Sequence, residues 1–82
     1  MNNEAKYWKG RQVSMLIEVA EHDYDMQYVM DMLINDVCQK LIELSMSDPV
    51  EGGWHALRLL GIAHNVLSKA LEQQEANDEQ AN

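Results

Sequence analysis

Three histidines and one cysteine are the side chains of this 82-residue chain best suited to metal binding or covalent chemistry: His22, His55, His64 and Cys38. A zinc site needs three or four ligands, and two of them usually lie a few residues apart on one helix. His55 and His64 are nine residues apart and therefore lie on different faces of a helix. We predict no metal site and no cofactor.

Cys38 and the paired glycines Gly52 and Gly53 are the remaining candidates for chemistry. A reactive thiol needs a neighbouring cation or base, which Val37 and Gln39 do not supply, so we interpret Cys38 as a small buried hydrophobic side chain. The glycine pair lacks the lysine and the preceding strand of a phosphate-binding loop. These glycines instead allow close backbone approach or weaken the first turn of a helix. We predict no catalytic residue and no enzymatic activity.

The strongest structural signal is a helix stop followed by a helix start at residues 47–54. Ser47 and Asp48 can accept a backbone N–H at a helix start, and Pro49 suits the first helical position because its missing donor is not needed there. Glu51 lies three residues after Asp48, which is the spacing of a capping box. One helix is therefore expected to end here and another to begin.

The residues before this break predict two helices with an interruption between them. Apolar residues fall at i, i+3, i+4 and i+7 from residue 13 to residue 20, as on one helix face. Every second residue from 13 to 19 is also apolar and several are β-branched, so a strand remains the alternative. The segment 22–25 then breaks the pattern, with Asp23 or Asp25 as the cap of a second helix at about 24–46. Its main apolar face is predicted to comprise Met26, Met30, Leu33, Val37, Leu41 and Leu44.

The third helix is predicted at about 49–74, and it is apolar over about half its circumference. The predicted fold class is all-α: an antiparallel helical hairpin with a short leading helix. Residues 1–10 are expected to form a loosely ordered arm, which could be a fraying helix, a docking arm or an edge strand. Residues 11–74 form the helical domain, and residues 75–82 are expected to be an acidic disordered tail.

The two longer helices carry more apolar surface than a single 82-residue chain can bury. Because Cys38 is the only cysteine, an internal disulfide cannot compensate. A second copy is therefore expected to cover the excess, giving a dimeric helical bundle. If His64 is enclosed there, its protonation at low pH would oppose assembly. The predicted dimer interface is Leu57, Leu60, His64, Leu67 and Leu71.

Charge is distributed unevenly along a chain whose net charge is −8. The first eleven residues hold three cations and one acid, whereas the rest hold thirteen acids and three cations. The acidic part of the chain is unsuited to binding nucleic-acid phosphates, but it suits a protein target with a basic surface. The acids usually form only a solvated face; the alternative is that they imitate a phosphate backbone. The predicted partner-binding acids are Asp25, Asp31, Asp36 and Glu43.

Neither a signal-peptide core nor a bilayer-length apolar run is present, so a cytoplasmic protein with no membrane contact is expected. Five of the six methionines, Met15, Met26, Met30, Met32 and Met46, suit a core or an adaptable groove.

In size and charge the chain resembles small acidic helical proteins of phages and mobile elements, including inhibitors of CRISPR and other host systems. The excess apolar helix surface, the acidic flanks and the absence of a catalytic cluster predict a dimeric, non-catalytic inhibitor or adaptor of another protein, and the resemblance implies an inhibitor encoded by a phage or mobile element. One alternative is an antitoxin-like protein, or a regulator whose bundle encloses a small ligand near Tyr24, Tyr28, Trp54 and His64. Another is nucleic-acid binding through residues 6–11, whose few cations are a poor electrostatic footprint.

Overall fold

A computed structural model describes the backbone of residues 2–81 and the side chains of residues 4–78. The chain forms α1 (Asn2–Glu21), α2 (Met26–Leu33), a π-helical turn (Ile34–Cys38), α3 (Gln39–Ser45) and α4 (Pro49–Ala81). The all-α prediction is confirmed, and residues 11–20 are helix rather than strand. None of the described helices is both long and apolar enough to cross a membrane.

Residues 26–45 form one continuous middle helix, in which the π-helical turn joins α2 to α3. In a regular α-helix each four-residue step moves a side chain about 40° around the axis. The wider i→i+5 turn takes up part of that drift. It thereby keeps residues four apart on the core side. At this four-residue spacing Val29, Leu33, Val37 and Leu41 are buried or partly buried, and Leu44, three residues farther on, is partly buried.

The predicted apolar face of this helix was wrong in part, because regular α-helical periodicity was assumed. Met30 is exposed, whereas Val29 and Met32 are buried in the core. Cys38, predicted to be buried, is exposed at the end of the π-helical turn. The methionines divide accordingly: Met15 joins Met32 in the core, and others lie on the surface.

The predicted helix starts are confirmed by their hydrogen bonds. The Asp25 carboxylate accepts the backbone N–H of Gln27 at 3.1 Å and caps α2. The Asp48 carboxylate accepts the N–H groups of Val50 and Glu51 at 2.9 and 3.1 Å, with Pro49 at the first position of α4. These bonds satisfy donors that have no partner inside the helix.

The turn between α1 and α2 closes with a Schellman pattern. The N–H of Tyr24 donates to the Val19 carbonyl at 2.9 Å, and the N–H of Asp23 donates to the Ala20 carbonyl at 3.1 Å. Asp23 and Tyr24 both have positive φ, at 54° and 56°, where glycine is usual. The Gln74 side-chain amide donates to the Tyr24 carbonyl at 2.9 Å, so α4 holds this turn.

The core lies between α1, the middle helix and α4. Gly52 near the start of α4 lies close to Leu44 near the end of the middle helix, and Gln74 farther along α4 bonds to Tyr24 just before the middle helix begins. The molecule is elongated, with extents of 50 × 20 × 16 Å. Its buried side chains are Trp8, Met15, Val19, Val29, Met32, Leu33, Val37, Leu59, Ile62, Val66 and Ala70.

Both ends of the chain are helical over the described residues. The predicted loose arm is the first half of α1, and Trp8 within it is buried. A large aromatic side chain adds enough apolar contact to keep its helix on the core. The predicted tail continues α4 to Ala81, because each added residue extends an existing helix by one hydrogen bond. Met1 and Asn82 lie outside the described residues.

Candidate interaction site

The outer face of α4 is the side opposite its core-facing residues, and it is apolar. The core side carries Leu59, Ile62, Val66 and Ala70, all buried. Large apolar side chains also lie on the solvent side, with exposed fractions from 50% to 72%. A helix that is apolar all round is usually buried on all sides. The large exposed residues of this outer face are Val50, Trp54, Leu57, Leu60 and Leu71.

The outer face has the spacing of a coiled-coil seam. Leu57, Leu60, His64, Leu67 and Leu71 follow one another at alternating steps of three and four residues, which is the a/d pattern of a heptad repeat. The same pattern continues back through residues 53 and 50. These five are the predicted dimer interface. Four of them are exposed, while Leu67 packs partly against the core at the edge of the face.

The four acids of the predicted partner-binding face lie in different local environments. Asp25 is occupied as the cap of α2. Asp31 is exposed and accepts the Gln27 side-chain amide at 3.0 Å. Asp36 and Glu43 line a groove of about 510 Å³ between α1 and the middle helix. The structure therefore brings two of the four acids together.

Arg11 of α1 forms an ion pair with Asp36 in this groove. The Arg11 guanidinium pairs with Asp36 and, at 3.0 Å, with Glu18, and it donates to Ser14 at 3.1 Å. Partial burial works against the charge of Arg11, but the hydrogen bonds to both carboxylates outweigh it and raise its pKa above the usual value. Asp36 thus fastens α1 to the middle helix.

Glu43 shares a cation with the start of α1. The Lys40 ammonium lies 2.9 Å from Glu4 and 3.5 Å from Glu43. Hydrogen bonding between Lys40 and Glu4 raises the pKa of the lysine and lowers that of the carboxyl group. His55 of α4 lies 3.9 Å from the same Glu4 carboxylate. This cluster joins all three helices at one end of the molecule.

The histidines lie in separate surroundings. The His22 ring stacks on Tyr28 with centroids 3.8 Å apart, and its Nδ1 lies 2.9 Å from the Glu18 carbonyl. His55 belongs to the Glu4 cluster, and His64 lies on the outer face of α4. Among the described residues, no three His, Cys, Asp or Glu side chains gather as metal ligands.

The residues considered for a small-ligand pocket do not converge. Tyr24 and His64 line one open groove of about 470 Å³ between α1 and α4. Tyr28 lies under His22 instead, and Trp54 lies on the outer face of α4.

The sequence analysis missed Arg11 and Lys40 as partners of the acids. The available signal for Arg11 was the cationic first segment of a chain that is otherwise acidic. Comparison with protein families, with curated proteins and with solved structures finds no match to this chain.

Proposed function

We propose that this protein is a non-catalytic interaction module that forms a homodimer and binds another protein as an inhibitor or adaptor. The observation that carries the proposal is the exposed apolar outer face of α4. A contiguous apolar stripe on the surface of a small protein typically marks a protein-binding site. Here it occupies the longest helix of the fold, which extends along the whole molecule.

The composition of α4 supports burial of this face. Between residues 50 and 71 the charged side chains are Glu51, Arg58 and Lys69, and all three lie on one flank of the helix. Apart from His55, His64, Asn65 and Ser68, the other residues of this stretch are apolar or glycine, so leucine, valine and tryptophan side chains meet water over about five turns. Burying apolar surface contributes a favourable free energy of roughly 25 cal/mol per Å². If the outer face packs against the same face of a second copy, both chains bury their apolar surface.

In the proposed dimer the acidic surface stays uncovered and can bind a target. The net charge of −8 per chain doubles on dimerisation, which favours a partner with a basic surface. Asp31 and Glu43 both lie on the middle helix and are exposed. In the most specific form of the proposal, these carboxylates take the place of nucleic-acid phosphates in a cationic channel of the target.

Sedimentation of the full chain at micromolar concentration tests the dimer. The wild type should sediment as a dimer, and Leu57→Ser/Leu60→Ser should shift it to monomer. The matched control is Val13→Ser/Ile17→Ser on α1, whose side chains are 57% and 54% exposed against 62% and 53% for the leucines. The control should remain a dimer. A well-folded wild-type monomer throughout would contradict the proposal.

A further inference from the structure

Two adjoining grooves between α1 and α4 are cationic, although the chain as a whole is acidic. Their volumes are about 360 and 470 Å³, and they meet at Asn65, which lines both. Lys9 and Arg58 line the first groove, and Lys69 lines the second together with one acid, Glu72. Three cations against one acid give a local balance of +2, in a chain whose net charge is −8.

The cations of these grooves remain free for a ligand, unlike those that face the middle helix. Arg11 and Lys40 are each paired with two acids. Among the described side chains, residues 4–78, none of Lys9, Arg58 and Lys69 forms an ion pair. Three positive charges are therefore available along the grooves to carboxylates from another molecule.

The spacing of the cations requires an extended ligand. Arg58 and Lys69 are eleven residues apart, which is about three helical turns, so both lie on one side of α4. At 1.5 Å per residue their backbones are about 16 Å apart. A small anion can reach only one of them, whereas a helix of three or four turns lying along the grooves can contact both.

Apolar and small side chains accompany the cations. Val13 lies one turn after Lys9, Trp54 lies one turn before Arg58, and both are more than half exposed. An added Cβ at Gly61 would meet nothing within 4 Å, so the space over this part of α4 is open. A ligand that fills the grooves therefore needs an apolar stripe as well as carboxylates. The apolar and small residues that line the grooves are Ala5, Leu16, Gly61 and Ile62.

We propose that the grooves between α1 and α4 bind an acidic amphipathic helix of a partner protein. Its apolar stripe packs between α1 and α4, and its carboxylates pair with Lys9, Arg58 and Lys69, which is the helix-in-groove mode of recognition. Exposed charges more than about 8 Å apart are largely screened at physiological ionic strength, so the nearby cations outweigh the net charge of the chain. The site requires neither the dimer nor the acidic target-binding surface of the proposed function.

The lining residues favour a peptide helix over a nucleic-acid strand. A strand carries a phosphate on every nucleotide, and three cations neutralise few of them. Glu72 would repel any phosphate placed beside it. A helix avoids this repulsion, because it can place an uncharged or basic side chain next to Glu72 and acids next to the cations.

Titration of the isotope-labelled full chain with designed helical peptides, followed by NMR, tests the site. The probe is a stapled peptide of about 15 residues, long enough to pass both Arg58 and Lys69, with leucine at every third or fourth position and glutamate on both flanks. The matched probe has lysine in place of every glutamate. The glutamate peptide should shift the backbone amides of Lys9, Arg58, Asn65 and Lys69, and the lysine peptide should leave them unchanged.

Charge reversal on α1 supplies a matched pair of variants. Lys9→Glu should raise the dissociation constant of the glutamate peptide about fivefold at low salt, because it sets an acid against the acids of the peptide. The control is Lys6→Glu, which makes the same change in net charge at an exposed position of the same helix outside the grooves. It should change the dissociation constant less than about twofold. Lys9→Glu/Arg58→Glu should instead bind the lysine peptide at the same amides.

Gly61→Gln separates contact within the groove from charge. It fills open space without changing the net charge, and glutamine favours a helix over glycine, so the chain should stay folded. Binding of the glutamate peptide should weaken as it does in Lys9→Glu.

Four results would overturn the proposal. They are absence of binding by the glutamate peptide, shifts confined to the outer face of α4, equal effects of Lys6→Glu and Lys9→Glu, and unchanged binding by Gly61→Gln. Equal binding of inorganic phosphate or of an oligothymidylate at the same amides would also overturn it, because the grooves would then accept anions in general. A wild-type monomer that binds the glutamate peptide at these amides would remove the dimer of the proposed function and leave this site in place.

Discussion

Arg11 of α1 and Asp36 of the π-helical turn form an ion pair across 25 residues of sequence. The pair lies where the middle helix is widest, and Arg11 also holds Glu18 of its own helix. One guanidinium thus links two acids on different helices. The position of α1 against the middle helix depends on this contact and on the Lys40–Glu4 pair, which lies near the start of α1.

A double-mutant cycle should show that Arg11 and Asp36 stabilise the fold together. Both side chains are about one-fifth to one-third exposed, so we expect Arg11→Gln or Asp36→Asn to lower the free energy of unfolding by about 1 kcal/mol. The double variant should lose less than the sum of the two, by about 0.5–1 kcal/mol. Urea unfolding at low and high salt measures this coupling. Strict additivity would show that the pair contributes nothing.

The Glu4–Lys40 pair predicts how stability changes at both ends of the pH scale. The pKa of Glu4 is lowered from 4.5, so its stabilisation is present above that pH and is lost as pH falls through the lower folded value. The pKa of Lys40 is raised from 10.5, so its stabilisation is present below that pH and is lost as pH rises through the higher folded value.

Melting temperatures of wild type and Glu4→Gln across pH test this pair. The variant should melt below the wild type at neutral pH, and the difference should shrink as pH falls below 4.5, because both chains then carry a neutral group at position 4. A difference that stays constant down to pH 2 would mean that Glu4 acts through packing rather than charge.

Gly52 is required where α4 passes the end of α3, in contrast to Gly10. A Cβ at Gly52 would lie 2.9 Å from the Leu44 backbone oxygen and 3.2 Å from the Ser47 hydroxyl oxygen. We expect Gly52→Ala to lower the free energy of unfolding by about 1–3 kcal/mol. Gly10→Ala is the control, because its Cβ would meet nothing within 4 Å and it should stabilise α1 by about 0.5–1 kcal/mol. Stabilisation by both substitutions would show that α3 and α4 can separate without cost.

Local signals in the sequence predicted the helix starts correctly, since a cap acts on donors two or three residues away. Asp25, Asp48 and Pro49 each perform the role that their spacing indicated. The close approach allowed by the glycine pair is likewise confirmed at Gly52. At Gly53 an added Cβ would meet nothing within 4 Å. Features fixed by residues close to each other in the sequence could therefore be predicted from it.

Features that depend on contacts between residues far apart in the sequence could not be predicted from it. The partner of Asp36 is 25 residues away, and no spacing rule selects Arg11 from the other cations. The exchange of Met30 for Met32 in the core follows from a π-helical turn that regular periodicity does not include. The acidic site was consequently predicted as one surface, although Asp36 serves the fold.

Because Asp36 holds α1, the target-binding proposal is best tested at Asp31 and Glu43, which are exposed. Reversing both charges should weaken retention of a target from a lysate of the encoding organism and flatten its salt dependence, since fewer contacts are screened. Asp78→Lys/Glu79→Lys is the control, with the same change in net charge at the far end of α4. Immobilised wild type, variant and control are compared by stepwise salt elution. If the variant and the control lose target retention equally, the acids contribute only through net charge, and the middle helix does not carry the target-binding site.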